Sequence, residues 1–497
     1  MSIAKRLAFF SIDSLGISWP LLMALAVFIG FLSSMTSMPL GDPDTHLHLA
    51  TGYWIFQHHA VPSVDPFSYT LGGAPWIAHE WLAQCLLAAA QQVAGWTGLV
   101  LLTVASFALT LAYLLRFLLS RVPPIYALLF TLLAFPAMFT HLLARPHVLA
   151  WPVLAVWVGT LLRASEQHRS PPWWLLGLMV LWANLHGSFT LGLVLVLPFA
   201  LEAVLSSPSA ARLDTLKQWG VFMGLTLLAA MLTPAGWQGL WFTFHVFNLK
   251  YLSVIGEWMP SSFKNFNPLE LWLVTLLGMA LTGYLRLPAI RLLLVLGLLH
   301  QALAHGRYVS LFGLLIPMLI ATPFGKLYPT LSIGQPQAGA LDRFFDRLAA
   351  PAKPFAIAIA FTLALLTTVV TVRTGKHVPA PANTPVAAVD AALQAGASGH
   401  VLNADHFGGY LMSRRIPVFI DGRADLYGDQ HTKAYLDAVY SNKAEKIQST
   451  LDKFNISWTL IPPDSPAVLY LNTQADWQKI YEDETAVVHL RKSAQSR

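Results

Sequence analysis

The sequence predicts an α-helical, polytopic membrane protein of about 11 spans that ends in a small soluble α/β domain. Three observations predict it. Of 497 residues, 55% are hydrophobic and 11% charged, and the mean hydropathy of +0.55 lies outside the range of soluble chains. Apolar runs of about 17 to 25 residues recur from Ile17 to Val372, each long enough to cross a hydrocarbon core of roughly 30 Å as a helix. Beyond a Pro/Ala-rich stretch, Val378 to Pro385, the composition changes sharply, and strand-like segments alternate with helix-like ones.

The first span is expected at 17–38. It reads as a retained helix, because Lys5 and Arg6 precede it and no small-residue cleavage site follows. A polar first outer loop, 39–95, comes next and includes a short amphipathic helix at 80–94 lying on the surface. Further spans are expected near 97–119, 123–141, 147–164, 172–186, 187–206, 217–234, 268–286, 290–305, 308–325 and 354–373. Residues 1–375 thus form the membrane body, 376–387 a linker and 388–497 the soluble domain. In that domain 400–403, 417–421 and 456–461 read as buried strands, with helices at 432–440, 444–454 and 473–481. Such alternation suggests a largely parallel sheet in three layers. No Gly-rich phosphate loop follows these strands, so there is no nucleotide fingerprint.

Charge sets the orientation. With a cytoplasmic N-terminus, the inside loops hold Arg116/Arg121, Arg163/Arg169, Arg212/Lys217, Arg286/Arg291 and Lys326 to Lys353, as the positive-inside rule requires. The net charge of +6 therefore marks cytoplasmic loops and does not point to nucleic acid. Seventeen tryptophans suit membrane interfaces. Cys85, the single cysteine, excludes an internal disulfide and a Cys-rich metal site. The outer side then receives Asp42-Pro-Asp44, His79-Glu80, Arg145-Pro-His147, Asn184-Leu-His186, Glu257 and His305-Gly-Arg307. Every unusual polar motif falls on one face.

These motifs carry the chemistry. Asp42 and Asp44 present two carboxylates to one site if the segment is extended, and His46 and His48 do the same if the extension continues. Carboxylates supply hard oxygen ligands for Mg²⁺, while a histidine, His48 here, favours Mn²⁺; without a metal, one aspartate acts as general base. The competing reading is that Asp42 and Asp44 cap the next helix. Glu80 beside His79 suits acid–base work, although a glutamate at a helix start is also favoured by the helix dipole. Arg145 and Arg307, next to His147 and His305, offer forked guanidiniums for a phosphate. Arg307 breaks the positive-inside pattern, and a cation at the mouth of a helix bundle needs a partner. His46, His48, Asn184, His186 and Glu257 remain as contacts for an acceptor or a sugar. Carboxylates, imidazoles and arginines above an apolar bundle suit a ligand with a lipid tail, a phosphate bridge and a polar head.

The chain resembles the GT-C superfamily of integral-membrane glycosyltransferases, which includes oligosaccharyltransferase catalytic subunits, protein mannosyltransferases and lipid A aminoarabinose transferases. The resemblance rests on Asp42-Pro-Asp44 in the first outer loop, the multi-span body and the outer C-terminal domain. It is similar, too, to a broad group of bacterial membrane proteins sharing Asp42-x-Asp-Thr-x-x-His48-Leu-Ala-Thr-Gly52, Asp65-Pro-Phe-Ser68, His79-Glu-Trp81, Asn184-x-His-Gly187 and Phe419-Ile-Asp-Gly-Arg423. The resemblance implies inverting transfer of a sugar from a polyprenyl-phosphate or pyrophosphate donor to a periplasmic glycan, lipid or protein. It implies a bacterial inner-membrane location and a first-loop aspartate, Asp42 or Asp44, as base or metal ligand. No Trp-Trp-Asp-Tyr-Gly motif occurs in the C-terminal domain, which speaks against peptide-sequon transfer. Asp421-Gly-Arg423-Ala-Asp425 reads as a strand-end turn.

Three other classes compete. A transporter or flippase for a lipid-linked saccharide would line a path with charges at several depths, whereas here they gather at one mouth. A non-catalytic assembly protein leaves the Asp-His loop with no task beyond capping. A metallohydrolase lacks any His-Glu-x-x-His pattern.

Overall fold

A computed structural model describes residues 16–247, 249–250, 256–327 and 340–492. Lys5 and Arg6, and residues 328–339 of the expected inner loop, lie outside the described residues. The membrane body comprises α1 (Trp19–Ser34), α2 (Asp44–His58), α3 (Trp81–Leu119), α4 (Pro124–Phe139), α5 (Pro146–Glu166), α6 (Trp174–Leu185) and α7 (Phe189–Ser206). It continues with α8 (Arg212–Ala230), α9 (Trp237–Phe247), α10 (Pro268–Leu281), α11 (Ala289–Ala304), α12 (Val309–Leu327), α13 (Ala340–Ala349) and α14 (Pro354–Thr374). Proline opens α4, α5, α10 and α14, where its missing N–H removes no helical bond. Asn267 and Glu270 close a capping box on α10.

Each expected span coincides with a helix. Among the described residues, five stretches are long and apolar enough to cross a membrane: α3, α5, α7, Gly306–Leu327 and α14. Shorter apolar helices are α1, α4, α6, α10 and α11. The chain is a multi-pass membrane protein. Its exposed apolar residues away from any cavity include Val274 and Leu277 on α10 and Phe361 on α14, all more than half exposed, as surface in hydrocarbon should be.

Three boundaries differ from expectation. The first helix stops at Ser34, because Pro39 cannot extend it and the chain turns through a 3-10 segment at Met38–Leu40. The 80–94 helix does not lie on the surface. It forms the first part of α3, broken from the rest at Ala94 and Gly95, where φ reaches 58° at the glycine. It packs on α2, and Ala83, Leu87 and Ala88 are fully buried. Asp44 begins α2, so the Asp-His segment is helical from that point and not extended.

The C-terminal domain contains α15 (Val386–Gln394), β1 (His400–Asn403), α16 (Asp405–Ser413), α17 (Ala424–Val439), α18 (Ala444–Lys453), β2 (Ile456–Ile461), α19 (Pro466–Thr473), β3 (Trp477–Glu482) and β4 (Val487–Arg491). The sheet order is β1-β2-β4-β3, and only β1 and β2 run parallel. The expected largely parallel sheet is therefore mixed. Where a helix was expected at 473–481, α19 ends and the edge strand β3 begins, its aromatic and β-branched residues suiting a pleated surface. Residues 417–421 form no strand of this sheet. The Val418 backbone pairs instead with the first outer loop, through Val418 N to Phe67 O at 3.2 Å and Tyr69 N to Val418 O at 3.2 Å.

The C-terminal domain is thus built partly from the segment that follows the first helix. Val401, Trp458, Leu460 and Leu490 make a core on one sheet face that also takes in Leu47 and Ala50 of α2. Leu402, Ile456, Ile461 and Val487 pack against α17 to α19 on the other. Helix α2 lies between α3 and α16, and this places Asp42, Asp44 and His48 at the seam of the two bodies.

Candidate active site

A cavity of about 1490 Å³ lies at that seam. It exceeds the roughly 300–1,000 Å³ that small ligands fill. One part is apolar: Leu193, Val194 and Leu197 of α7, Met223 and Leu227 of α8, Leu240 of α9 and Leu298 of α11 line it. The other part gathers the polar motifs. Asp42, Asp44, His48, His79, Glu80, Arg145, His147, His186, Glu257, His305 and Arg307 all line the cavity. Two expected contacts do not.

His46 points away. Residues two apart on a helix differ by about 200° in direction, so His46 and His48 cannot share a face once Asp44 starts the helix. The His46 ring packs against Trp96 and Tyr410, and its Nε2 pairs with Thr384 Oγ1 at 3.2 Å. Asn184 is a structural tie. Its Nδ2 donates to Val180 O and Leu232 O, and its Oδ1 accepts Trp81 Nε1–H at 2.7 Å.

Arg145 is the centre of the polar part. It precedes Pro146 in extended conformation, which sends its side chain across the cavity from the start of α5. Its guanidinium meets Asp42 at 3.2 Å, Asp44 at 3.1 Å and Glu257 at 3.3 Å. Glu257 also meets Arg307 at 3.2 Å, and the Arg307 guanidinium lies 4.3 Å above the Trp258 ring. His305 Nδ1 donates to Trp258 O at 2.7 Å and ties the 3-10 turn that carries Glu257 to the one that carries Arg307. Asp42 both caps and pairs: its Oδ1 accepts the Asp44 N–H at 2.9 Å while its Oδ2 faces Arg145.

Three carboxylates here face two guanidiniums, so one carboxyl retains a proton most readily. Burial pushes the Asp44 carboxyl up, to about 8, against the pull of Arg145 and with the push of Asp42 and Glu257. Burial would also raise Glu257, but Arg145 and Arg307 hold it down, to about 2. Burial alone would lower Arg145, and the surrounding carboxylates hold it well above its ordinary value.

A second cluster surrounds Glu80. His186 Nε2 lies 3.4 Å from Glu80 Oε1, His79 Nε2 3.7 Å from the same oxygen, and His48 Nδ1 3.9 Å from Oε2. Burial pushes the Glu80 carboxyl up and the His48 imidazole well down. His147 donates from Nε2 to His141 O at 2.9 Å.

The expected ion site does not assemble from these residues. Asp42 and Asp44 turn to Arg145, and His48 turns to Glu80 and Gln84. Among the described residues no three His, Cys, Asp or Glu side chains converge as Mg²⁺ or Mn²⁺ ligands.

The soluble domain closes the cavity with Asp405, His406, Gly422, Arg423 and Asp425. Where a strand-end turn was expected at 421–425, residues 421–423 bend into α17, which begins at Ala424, and the segment forms a clamp. Arg423, 4% exposed, meets Asp65 at 2.7 Å and Asp421 at 2.6 Å, with its guanidinium 4.7 Å from the Trp76 ring. A Cβ at Gly422 would lie 2.0 Å from Asp44 Oδ1, so only glycine allows this approach. Asp65 and Asp405 carried no expected role from the sequence, and Asp425 was expected in a turn. For Asp65 the signal was present in Asp65-Pro-Phe-Ser68, which matched a shared pattern without a chemical reason.

Neither a known family model nor a curated protein matches the chain. Solved structures do. The Archaeoglobus fulgidus oligosaccharyltransferase in its apo form matches with a TM-score of 0.55 at 12% identity, over 89% of this chain and 69% of that one. The same enzyme tethered to an acceptor peptide containing the NVT sequon matches at 0.52 and 11%, over 89% and 68%. ArnT from Cupriavidus metallidurans bound to undecaprenyl phosphate matches at 0.48 and 12%, over 98% of each chain. The similarity to the oligosaccharyltransferase is one of fold.

Proposed function

We propose that the chain is a membrane glycosyltransferase that moves a sugar from a polyprenyl-phosphate or pyrophosphate donor to a glycan, lipid or protein acceptor. One observation carries this reading: a cavity whose apolar half adjoins α7 and α8 ends at two guanidiniums, Arg145 and Arg307, held in place by Asp42, Asp44 and Glu257. The lipid tail lies along the apolar half, and the phosphate meets the arginines by charge-assisted hydrogen bonds. The sugar then sits between Asp44 and the Glu80 cluster. Asp44 works as a carboxylate facing the reacting carbon. The acceptor displaces the phosphate in one step with inversion and gives its proton to a cavity carboxyl, Asp44 or Glu80. The fold shared with an oligosaccharyltransferase supports a transferase.

The positive-inside pattern supports a bacterial inner-membrane protein with a cytoplasmic N-terminus, and with the site and C-terminal domain on the periplasmic side. Confinement of the cavity charges to one mouth favours transfer over transport. The test is transfer from a panel of radiolabelled polyprenyl-phosphate sugars in membranes holding the protein. Wild type is compared with Asp42→Asn and Asp44→Asn at matched expression. Loss of transfer in Asp44→Asn is expected, and full transfer in both variants overturns the assignment. An EDTA arm separates carboxylates that act directly from carboxylates that act through Mg²⁺ or Mn²⁺.

A further inference from the structure

The hydrogen bonds around Glu80 fix where its neighbours carry their protons. The Trp182 indole N–H donates to Ser188 Oγ at 3.0 Å, and Ser188 Oγ lies 2.8 Å from His186 Nδ1. The Ser188 backbone N–H donates to His186 Nδ1, at 3.1 Å. His186 Nδ1 is therefore an acceptor, and its proton sits on Nε2, which lies 3.4 Å from Glu80 Oε1. His79 is set the other way. Its Nδ1 faces Ile77 O at 3.4 Å and must be the donor there, which leaves the Nε2 lone pair facing Glu80 Oε1 at 3.7 Å. One oxygen of Glu80 thus lies between an N–H and a lone pair. A proton arriving on that oxygen meets an acceptor already in place.

The aspartates lack this arrangement. Asp42 is occupied by the α2 cap and Arg145, and Asp44 by Arg145. Glu80 makes no ion pair with an arginine within 4.0 Å among the described residues, and it opens onto the cavity. The groups that face it are His48 of α2, His79, His186, and more distantly Arg145, Arg307 and Asp425 of the C-terminal wall.

Resting on the transferase reading, the geometry points to Glu80 as the general base of the transfer, with His186 holding its carboxylate and His79 receiving the proton from it. In the step, the acceptor oxygen forms a bond to the anomeric carbon while the bond from that carbon to the phosphate oxygen breaks. The bonding pair leaves on the phosphate, which Arg145 and Arg307 hold. The acceptor O–H proton passes to Glu80 Oε1 and on to His79 Nε2. Atoms and charge balance without a further reactant.

The test replaces the unidentified acceptor with two small ones. Water must lose a proton to attack, whereas azide is already an anion and needs no base. Purified full-length protein is given a radiolabelled polyprenyl-phosphate sugar, and free sugar and glycosyl azide are counted separately. The result expected for Glu80→Gln is a loss of hydrolysis of about 10²–10⁴-fold, the range for removal of a general base, with glycosyl azide still formed. Asp44→Asn loses both products. His79→Ala lowers hydrolysis more than azide transfer. Retained binding of polyprenyl phosphate shows that Glu80→Gln is folded. Equal loss of both products in Glu80→Gln, or loss of neither, overturns the assignment of the base. If wild type yields neither product from any donor in the panel, the transferase reading fails first and the base assignment falls with it.

Discussion

Gly422→Ala tests how closely the C-terminal domain governs the reaction centre. A Cβ at this position lies 2.0 Å from Asp44 Oδ1, and an ordinary contact begins near 3.4 Å, so about 1.4 Å of movement is required. The 422 backbone is poorly placed to yield, because the next residue is the buried Arg423, held by Asp65 at 2.7 Å and Asp421 at 2.6 Å. The Asp44 carboxylate yields instead. For the ionised carboxylate, its pair with Arg145 at 3.1 Å then opens towards roughly 4.5 Å, a loss of about 1.7 kcal/mol at an effective dielectric constant near 20. A displacement of about 1 Å at a reacting centre can cost on the order of 10²-fold in rate. Transfer from a radiolabelled polyprenyl-phosphate sugar should therefore fall by about that factor. Thermal unfolding in detergent should show only the roughly 1–3 kcal/mol of overpacking. Gly30→Ala on α1, where nothing lies within 4 Å, is the control and should transfer at the wild-type rate. A folded Gly422→Ala protein with wild-type transfer would refute the claim that the position of Asp44 matters.

Other outcomes follow from the same geometry. With its carboxyl up at about 8, Asp44 is about one-tenth ionised at pH 7 and about nine-tenths at pH 9. Wild-type transfer should thus rise about ninefold over that interval, and a flat profile argues against a working carboxylate at this position. Stability has the opposite sign: the folded chain keeps a proton that the unfolded chain releases near 3.8, so the Asp44 contribution is lost as pH rises through about 8. Arg307→Ala removes a charge-assisted donor worth about 1.5–3 kcal/mol, so polyprenyl phosphate should bind roughly 10- to 150-fold more weakly in a competition assay. Unchanged binding would remove Arg307 from the phosphate site. Asp65→Asn leaves buried Arg423 with one carboxylate and should cost about 3–5 kcal/mol in unfolding experiments, against no change if the clamp is ornamental.

What the sequence made legible is what local chemistry decides. Apolar runs placed a helix at each expected span, because that signal lies within the element it specifies. Sorting the loops by charge put Arg145, Glu257, Arg307 and the Asp-His loop on one side before any contact was known. The contacts themselves were beyond it. Asp65 and Arg423 are 358 residues apart, and nothing local to either announces the other. Leu47 and Ala50 read as part of a membrane-body loop, yet they fill the core of a domain that begins more than 300 residues later. The 417–421 segment was β-prone for a sound reason, since it does pair, but its partner is the first outer loop and not the sheet.

The Asp-His segment shows why a motif can be recognised and its geometry still be misread. Capping and function had been weighed as competing readings of Asp42, and both hold for the same side chain: one oxygen accepts the Asp44 N–H and the other faces Arg145. By ordering the turn, the cap starts a helix at Asp44. A helix separates His46 from His48 by about 200° and sends one imidazole into the soluble domain and the other towards Glu80. Asp44 and His48, four apart, then share the face that looks into the cavity. The cap is therefore part of how the site is built, because without it the carboxylate and the imidazole need not face the same way.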